Sequence, residues 1–450
     1  MTDPTPADAR RQTGARTARR VKGLRGTLAA PPDKSVSHRA LIFSALASGE
    51  SRIKGLLESD DVLATARAVK ALGAEVSRDG PGAWRVSGGP WRSPQAALDL
   101  GNSGTGVRLL MGAAARFELQ ALFTGDESLS RRPMARVLDP LGRMGVRADA
   151  AQGGRLPARL TGSSGLTAID YTPPVASAQV KSAILLAGLG AEGETIVREP
   201  HATRAHTETV APLYGADMRV ETDGEGAIAR VRGGAGLTAF DLDVPGDPSS
   251  AAFAAAAALI TEDSAVTLQG VMINPARFGL YETLQEMGAD LTVTPSGTRA
   301  GEALADLAVR SSRLKGVDVP PQRAPSMIDE YPVLAVIAAF AEGRTVMRGL
   351  AELRAKESDR LAASAAMLVA NGVAIELDAD SLIVEGCGPS GPPGGGTVLT
   401  QHDHRLAMSG LVMGLGAREA VTVDDVAMIA TSYPGFFSDF EALGAVFDAV

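Results

Sequence analysis

Cysteine, aromatic residues and long apolar runs are all scarce in this chain of 450 residues. Its single cysteine, Cys387, excludes an intrachain disulfide, and nothing in the sequence indicates an oxidising compartment. No apolar run reaches the roughly 18 residues that a membrane-spanning helix needs. The longest candidate, residues 251–260, predicts a buried helix instead. With aromatic residues at 4%, the core must be mostly Ala, Val, Leu and Ile. We therefore expect a cytoplasmic protein that does not bind membranes.

Basic residues are also fewer than acidic ones. The chain has 44 Lys and Arg and 52 Asp and Glu, which gives a net charge of −8. General nucleic-acid binders carry a basic surplus, so we exclude nucleic acid as a partner. Any anion site must come from a local basic cluster. The length suits two domains of about 200 residues each. The first 20 residues hold five arginines and no apolar segment, and we expect residues 1–20 to form a disordered arm.

Six glycines each follow a helix-like run and precede a short strand-like run, at positions 73, 145, 215, 288, 372 and 444. Glycine tolerates the left-handed conformation that closes a helix C-terminus. Recurrence every 70 to 84 residues indicates one supersecondary unit used six times. Helix-like and strand-like runs alternate within each unit, which is typical of mixed α/β structure. The widest gap places extra residues near 295–305.

Cationic side chains recur at the predicted helix starts. A helix N-terminus offers free N–H groups and partial positive charge to an anion. Each helix start, taken alone, is equally typical of a capped helix with solvated charges. The glycine-rich segment 101–106 is not a P-loop, because no Gly-Lys-Ser or Gly-Lys-Thr follows it. The recurrence predicts a positive cleft for small anionic molecules. The cations at corresponding places of different repeats are Lys34, Arg132, Arg204, Lys356, Arg360 and Arg405.

Two carboxylates lie among these cations. Asp329 stands at the start of a long apolar helix, and Glu357 lies in a run of charges. Taken alone, the first is typical of a capping acid and the second of a solvated face. Beside a cluster of cations, both are candidates for proton transfer. His402 and His404 could ligate a metal, but no third ligand is suitably spaced, so we expect no metal site.

Five segments together resemble the EPSP synthases, the family of 3-phosphoshikimate 1-carboxyvinyltransferases, over nearly the whole chain from about Lys22. They are DKSVSHR at 33–39, GNSGTG at 101–106, RP at 132–133, KESDR at 356–360 and DHRLAM at 403–408. Residues 177–179 and 324–331 resemble the subclass called class II.

The resemblance implies an α/β fold of two domains, each made of three βαβαββ units around buried helices. This agrees with the sixfold glycine pattern. The implied lower domain is discontinuous and comprises residues 21–32 plus 246–450. The implied upper domain comprises residues 33–245, and the two domains would close on substrate.

The resemblance also implies a reaction in the shikimate pathway of aromatic amino acid biosynthesis. The 5-hydroxyl of shikimate 3-phosphate attacks C2 of phosphoenolpyruvate while C3 is protonated, and phosphate then leaves from the tetrahedral intermediate. These two small molecules are the implied partners, no cofactor is implied, and we expect a monomer.

The family's functional residues carry over to matching positions. Asp329 is the implied base toward the 5-hydroxyl, Glu357 the implied proton donor to C3, and Lys34 and Lys356 are the other implied catalytic groups. The implied contacts to shikimate 3-phosphate come from Lys34, Ser35, Arg39, Ser177, Ala178, Gln179, Arg204, Asp329 and Lys356. The implied contacts to phosphoenolpyruvate come from Lys34, Gly104, Arg132, Gln179, Arg360 and Arg405.

Two positions bear on how far the family pattern extends. Thr431 stands where many relatives have a lysine just before Thr-Phe-Pro, so the role of that lysine does not carry over. Glyphosate-insensitive class II members can have alanine where this chain has Gly104. The missing methyl leaves space for an inhibitor longer than phosphoenolpyruvate, so we predict appreciable sensitivity to glyphosate.

Two alternatives stay open at this point. A UDP-N-acetylglucosamine enolpyruvyl transferase would share the fold, but that enzyme usually uses a cysteine, sometimes an aspartate, on a mobile loop. Cys387 lies in a Pro- and Gly-rich region away from any such motif. A non-catalytic anion-binding repeat protein would need the cations, but it would have no use for Asp329 or Glu357. Phosphate release from shikimate 3-phosphate and phosphoenolpyruvate distinguishes the three.

Overall fold

The computed structural model describes residues 12–450. Backbone contacts divide the chain into two compact units. Unit 1 consists of Pro32–Pro245 with Arg299–Glu302. Unit 2 consists, within the described residues, of 12–31, Gly246–Thr298 and Ala303–Val450. No helix in the described part is long and apolar enough to cross a membrane.

Most strands are short, as expected for repeated α/β units. In chain order they are β1 (Arg16–Ala18), β2 (Arg25–Ala29), β3 (Gly49–Lys54), β4 (Glu75–Gly80), β5 (Ala83–Gly88), β6 (Leu98–Asp99), β7 (Gln120–Thr124), β8 (Arg147–Ala151), β9 (Arg155–Thr161), β10 (Leu166–Thr167), β11 (Asp170–Tyr171), β12 (Ala191–Glu192), β13 (Glu194–Glu199), β14 (Met218–Asp223), β15 (Gly226–Arg232), β16 (Leu242–Asp243), β17 (Ala265–Met272), β18 (Asp290–Arg299), β19 (Glu302–Arg310), β20 (Asp318–Val319), β21 (Arg344–Met347), β22 (Ile375–Leu377), β23 (Leu382–Glu385), β24 (Thr397–Val398), β25 (Val421–Val423) and β26 (Phe447–Ala449).

Helices alternate with these strands. The α-helices are α1 (Lys34–Leu46), α2 (Asp60–Leu72), α3 (Gly104–Ala114), α4 (Glu127–Arg131), α5 (Ala135–Arg143), α6 (Ala178–Gly188), α7 (His206–Val210), α8 (Pro248–Ile260), α9 (Gly279–Glu286), α10 (Ala324–Met327), α11 (Tyr331–Ala339), α12 (Arg360–Ala370), α13 (His404–Gly416) and α14 (Phe436–Leu443). Short 3₁₀ helices cover Ala211–Tyr214, Pro275–Arg277, Pro321–Arg323, Ala351–Ala355 and Ala427–Thr431.

One sheet topology occurs six times, which confirms the prediction of a sixfold repeat. In every case the first pair of strands is parallel and the next pair is antiparallel. The orders in unit 1 are β16-β3-β5-β4, β6-β7-β9-β8 and β11-β13-β15-β14. The orders in unit 2, read from the parallel edge, are β2-β17-β19-β18, β20-β21-β23-β22 and β24-β25-β1-β26. Strands β10 and β12 form an additional parallel pair in unit 1.

A buried helix belongs to each sheet, and these helices form the centre of each unit. In unit 1, α3 packs against both α1 and α6, and in unit 2, α8, α11 and α13 all contact one another. Every residue of α8 is buried, as predicted for the apolar run 251–260. An alternating strand such as β9 turns one face toward the core and the other toward solvent. The apolar content of the chain is therefore concentrated in two helical centres covered by sheets.

The six repeat glycines have positive φ angles, between 76° and 123°. This is the left-handed region that the glycine pattern predicted for the ends of helices. Gly73 and Gly444 are the C-caps of α2 and α14. The wide gap before Gly372 is explained by a long β18–β19 hairpin over 290–310, which includes the segment where extra residues were expected.

The prediction of a disordered arm over residues 1–20 is wrong for its last part. Arg16–Ala18 forms β1, which pairs with both β25 and β26. The partners of this strand lie at the opposite end of the chain, so no local signal could reveal it. Residues 1–11 of the predicted arm lie outside the described residues.

Candidate active site

The central helices of unit 1 begin with side-chain caps, which place the predicted binding residues in their first turns. Asp33 accepts from the backbone N–H of Val36 over 2.7 Å at the start of α1. Ser103 caps α3 and Ser177 caps α6 in the same manner. Capping satisfies one of the free N–H groups at each end and leaves others for an anion. The caps of α1, α3 and α6 are followed directly by Lys34, Gly104 and Ala178, and Gln179 comes next on α6.

Lys34 has an acidic partner on the neighbouring helix. Its Nζ lies 3.1 Å from Oδ2 of Asp61 on α2, and the two side chains are 16% and 8% exposed. Both groups are therefore largely shielded from solvent, which strengthens their attraction relative to a surface pair. Asp61 was not predicted from the sequence, because nothing local distinguishes it from Asp60, the other acid in the first turn of α2.

The histidine of the DKSVSHR segment has a structural environment. His38 is fully buried, and its Nδ1 lies 2.8 Å from Oγ1 of Thr65. Burial lowers the pKa of His38 well below its usual value, and the positive charges of Lys34 and Arg39 lower it further. The imidazole is therefore neutral at physiological pH and supports the contact between α1 and α2.

Arg39 connects three helices of unit 1. Its guanidinium donates to Oγ1 of Thr207 over 2.8 Å and to Oγ of Ser182 over 2.7 Å. A third hydrogen bond, of 3.0 Å, reaches the backbone oxygen of Ser35, another predicted binding residue. The residue is only 3% exposed. Its position fixes the first turn of α1 relative to α6 and α7.

A second cluster surrounds the start of α3 and includes a residue that the sequence did not predict. Arg108 donates to Oε1 of Gln179 over 2.5 Å and to the backbone oxygen of Gly104 over 3.2 Å. Gln179 in turn donates to Oγ1 of Thr105 over 2.9 Å. Arg108 lies one helical turn after Gly104, and this i, i+4 spacing is the signal that could have revealed it.

Arg132 belongs to the same cluster. It donates to Oδ1 of Asn102 over 2.6 Å. A Cβ atom added at Gly104 would lie 2.8 Å from Nη1 of Arg132 and 3.1 Å from Nη1 of Arg108. Two guanidinium groups thus approach the backbone closely at Gly104, which a side chain there would prevent. The structure brings Gly104, Arg132 and Gln179 together, as expected for a shared anion site.

Arg360 is the centre of the corresponding cluster in unit 2. It is 1% exposed and contacts three carboxylates. Its Nε lies 2.8 Å from Oδ2 of Asp403, its Nη1 3.0 Å from Oδ1 of Asp329, and its Nη2 2.5 Å from Oε2 of Glu357. Burial alone would lower the pKa of Arg360, but the three carboxylates outweigh it and raise that pKa far above its usual value. Arg360 therefore remains charged.

Lys356 joins this cluster through Asp329, since its Nζ lies 3.5 Å from Oδ1 of that carboxylate. The carboxylates of Asp329 and Glu357 are 14% and 17% exposed, so both can still be reached by a small molecule. The structure therefore brings together the two predicted proton-transfer residues and two predicted cations. An arrangement of this kind can hold an anion and exchange a proton with it.

Arg405 lies in the first turn of α13, which Asp403 caps by accepting from its N–H over 2.9 Å. Its guanidinium lies 3.9 Å from Oε1 of Glu330, a buried acid that the sequence did not single out. His404 is buried at the same helix start. Within residues 12–450, no group of three or more His, Cys, Asp or Glu could hold a metal ion.

Two further positions concern the lysine that many relatives have and the cysteine that the alternative transferase uses. Thr431 ends a 3₁₀ helix, and its Oγ1 donates to the backbone oxygen of Met428 over 2.7 Å. Cys387 is partly buried, and burial raises the pKa of its thiol. A thiol with a raised pKa carries little thiolate at neutral pH, so it is a poor nucleophile.

Comparisons with known proteins agree with this geometry. The family model for EPSP synthase (3-phosphoshikimate 1-carboxyvinyltransferase) matches residues 18–440. The 3-phosphoshikimate 1-carboxyvinyltransferase of Maricaulis maris is 60% identical over 97% of both chains. The enzyme of the same name from Granulibacter bethesdensis is 57% identical over 93% of both chains.

Solved structures define the class of fold. The enolpyruvyl transferase NikO from Streptomyces tendae has a TM-score of 0.76 at 20% identity, covering 97% of this chain and 98% of NikO. An EPSP synthase structure from Acinetobacter baumannii has a TM-score of 0.85 at 40% identity, covering 97% of this chain and all of that one. The fold is thus that of the enolpyruvyl transferases, and the predicted fold class is confirmed. The chain belongs to the EPSP synthase family and is a transferase enzyme.

Proposed function

We propose that this chain transfers the enolpyruvyl group of phosphoenolpyruvate to the 5-hydroxyl of shikimate 3-phosphate. The products are 5-enolpyruvylshikimate 3-phosphate and phosphate. Membership of the EPSP synthase family supports this proposal. The structural observation that carries it is the buried Arg360, which holds Asp329 and Glu357 in one cluster. A mere anion-binding scaffold would have no reason to place two reachable carboxylates beside its cations.

Unit 1 supplies the larger part of the proposed binding groups. Gly104, Arg132 and Gln179 would receive phosphoenolpyruvate, because arginine and free backbone N–H groups suit both its carboxylate and its phosphate. Lys34 would contact both substrates. The proposed contacts of unit 1 to shikimate 3-phosphate are Lys34, Ser35, Arg39, Ser177, Ala178, Gln179 and Arg204.

Unit 2 supplies the proposed proton transfers. Asp329 accepts the proton of the 5-hydroxyl as its oxygen forms a bond to C2 of phosphoenolpyruvate, and Glu357 gives a proton to C3. The ionised Glu357 then takes a proton back from C3 as the bond between C2 and the phosphate oxygen breaks and phosphate leaves. Lys356 contacts shikimate 3-phosphate and is a further proton-handling group, while Arg360 and Arg405 stabilise the anionic substrate and the departing phosphate. The phosphorus–oxygen bonds stay intact.

We further propose that residues 33–245 are one functional domain and that residues 21–32 with 246–450 are the other. The enzyme would act as a cytoplasmic monomer on two small molecules. Its chemistry requires neither a metal nor a cofactor, because cationic side chains supply the charge compensation. Sedimentation of the purified chain with both substrates present tests the monomeric state.

The decisive experiment uses phosphoenolpyruvate labelled with ¹⁸O in the oxygen that bridges C2 and phosphorus. The full chain is incubated with this substrate and shikimate 3-phosphate, and the released phosphate is analysed by mass spectrometry. We expect the label in the phosphate, and no phosphate when either substrate is omitted. Unlabelled phosphate would show cleavage of the phosphorus–oxygen bond and would contradict the mechanism.

The same assay distinguishes the two alternatives. If shikimate 3-phosphate is replaced by UDP-N-acetylglucosamine, we expect no phosphate release. Phosphate release with UDP-N-acetylglucosamine and phosphoenolpyruvate, but not with shikimate 3-phosphate and phosphoenolpyruvate, would assign the chain to that reaction instead. Binding of both shikimate substrates without any turnover would favour the non-catalytic anion-binding protein.

A further inference from the structure

Unit 1 contains a fully buried lysine that the proposed chemistry does not use. Lys181 lies on α6, and its Nζ is 2.7 Å from Oε2 of Glu199 and 2.8 Å from Oε1 of Glu208. The three side chains are 1%, 1% and 3% exposed. Burial alone would lower the pKa of Lys181, but Glu208 and Glu199 outweigh it and raise that pKa. The lysine is therefore charged, and its two carboxylate partners offset the desolvation cost of burying that charge.

Glu199 connects this ion pair to the loop that follows β13. Glu199 ends β13, and its carboxylate accepts from the backbone N–H of Thr203 over 3.3 Å and from the Thr203 hydroxyl. Lys181 adds a contact of 3.5 Å to the backbone oxygen of the same threonine. All three polar groups of Thr203 are thereby bound by one buried ion pair. The next residue in the chain is Arg204.

A second residue of the loop between β13 and α7 is held as well. Ala202 donates its N–H to the backbone oxygen of Glu225 over 2.9 Å. Residues 202 and 203 are thus both anchored on the side of Arg204 that leads back to β13. The backbone N–H of Arg204 and the carbonyl group that Lys181 contacts belong to the same peptide bond. The orientation of the Arg204 backbone therefore depends on these anchors.

We propose that Lys181 and Glu199 are positioning residues for Arg204 in the binding of shikimate 3-phosphate. This inference rests on the proposed role of Arg204 as a contact to that substrate. Glu208 has a different function in the same group. Among the described residues it contacts Lys181, but it makes no hydrogen bond to Thr203. It provides a second counterion to Lys181.

This difference provides a matched pair of variants. Glu199→Ala and Glu208→Ala each remove one buried carboxylate from the same lysine and leave the other carboxylate as its partner. Next to this group, Arg39 still connects Ser182 of α6 to Thr207 of α7 in both variants. Only Glu199→Ala releases Thr203. We expect it to raise KM for shikimate 3-phosphate by about tenfold, with KM for phosphoenolpyruvate and kcat changed by less than about twofold.

Glu208→Ala should leave the KM for shikimate 3-phosphate within about twofold of the unaltered enzyme. Glu199→Gln should restore most of the affinity, since its side-chain oxygen can accept from the N–H of Thr203 and its amide can donate to the hydroxyl. Equal effects of the two alanine variants on this KM would overturn the inference, because a purely structural role predicts them to behave alike. If Glu199→Ala does not fold, Thr203→Val tests the same contact without altering the ion pair, and it must also raise this KM.

A double-mutant cycle separates this inference from the proposed function. When Arg204→Ala is combined with Glu199→Ala, the two losses in affinity for shikimate 3-phosphate should not add. Additive losses would contradict the positioning role and leave the role of Arg204 intact. If Arg204→Ala alone had no effect on this affinity, both the assignment of Arg204 and the inference would fall.

Discussion

Replacement of Arg360 by methionine tests the buried charge cluster of unit 2. Methionine keeps much of the volume but removes the partner of Asp403, whose side chain is completely buried. Breaking a buried ion pair by removal of one member costs about 3–5 kcal/mol, because the remaining charge is uncompensated. Glu357 and Asp329 lose the same partner but are partly exposed, so their contribution is smaller.

Urea unfolding measures this cost. With a slope of about 2–3 kcal/mol per molar urea for a unit of this size, the midpoint should fall by about 1–2 M. Circular dichroism follows both units, whereas tryptophan fluorescence follows unit 1 alone, because Trp84 and Trp91 both lie there. We therefore expect the lowered midpoint in the circular dichroism transition of unit 2, and an unchanged midpoint in the fluorescence transition of unit 1.

Arg348→Met is the matched control in the same unit. Arg348 pairs with Asp318 over 2.5 Å, but the two side chains are 48% and 61% exposed. A surface pair of this kind contributes at most about 1 kcal/mol. If Arg360→Met costs no more than Arg348→Met, the cluster does not depend on its arginine and our account of the site in unit 2 is wrong.

Three more predictions follow from individual contacts. Gly104→Ala should displace Arg132, whose Nη1 would lie 2.8 Å from the new methyl group, and should raise the inhibition constant of glyphosate about tenfold; equal constants would refute this. Asp329→Ala should still bind shikimate 3-phosphate in a calorimeter but turn over on the order of 10²–10⁴ times more slowly, and unchanged turnover would remove it from the role of base. Burial alone would raise the pKa of Glu58, but hydrogen bonds, chiefly from Arg78, outweigh it and lower that pKa below 4.5. The ionised carboxylate thus stabilises the fold above this pH, so Glu58→Gln should cost about 1–2 kcal/mol in urea unfolding at pH 7 and progressively less as the pH falls through the lowered pKa.

Much of the fold could be predicted because its signals are local. A glycine that ends a helix needs only its own backbone conformation, and the positive φ angles of Gly73 and Gly444 agree with that expectation. Helix α2 covers Asp60–Leu72, because Ser59 caps it and Gly73 ends it. Because the same local pattern recurs six times, it predicts all six repeats of the fold.

The partners of the site residues were less accessible to sequence reasoning. Lys34 was predicted, but Asp61 was not, since the pairing of α1 with α2 determines which of several acids it meets. Glu330 and Asp403 were missed as partners for the same reason. A cation at a helix start is visible in the sequence, whereas the carboxylate that faces it is selected by packing between helices.

Strand β1 shows the same limit in the backbone. A segment of three residues has too little hydrophobic pattern to be distinguished from a solvated arm. Its order comes from Val421–Val423 on one side and Phe447–Ala449 on the other, which both lie at the far end of the chain. Local propensity could not supply this information.

The place of β1 between β25 and β26 has a consequence for biosynthesis. The chain emerges from the ribosome N-terminus first, so β1 is made long before its two neighbours. All parts of unit 1 have been synthesised once residue 302 is added, whereas the last sheet of unit 2 must wait for residue 449. During translation β1 therefore lacks both of its strand partners until β25 and β26 have been made, and ribosome-bound chains truncated before β25 should present it to proteases and chaperones.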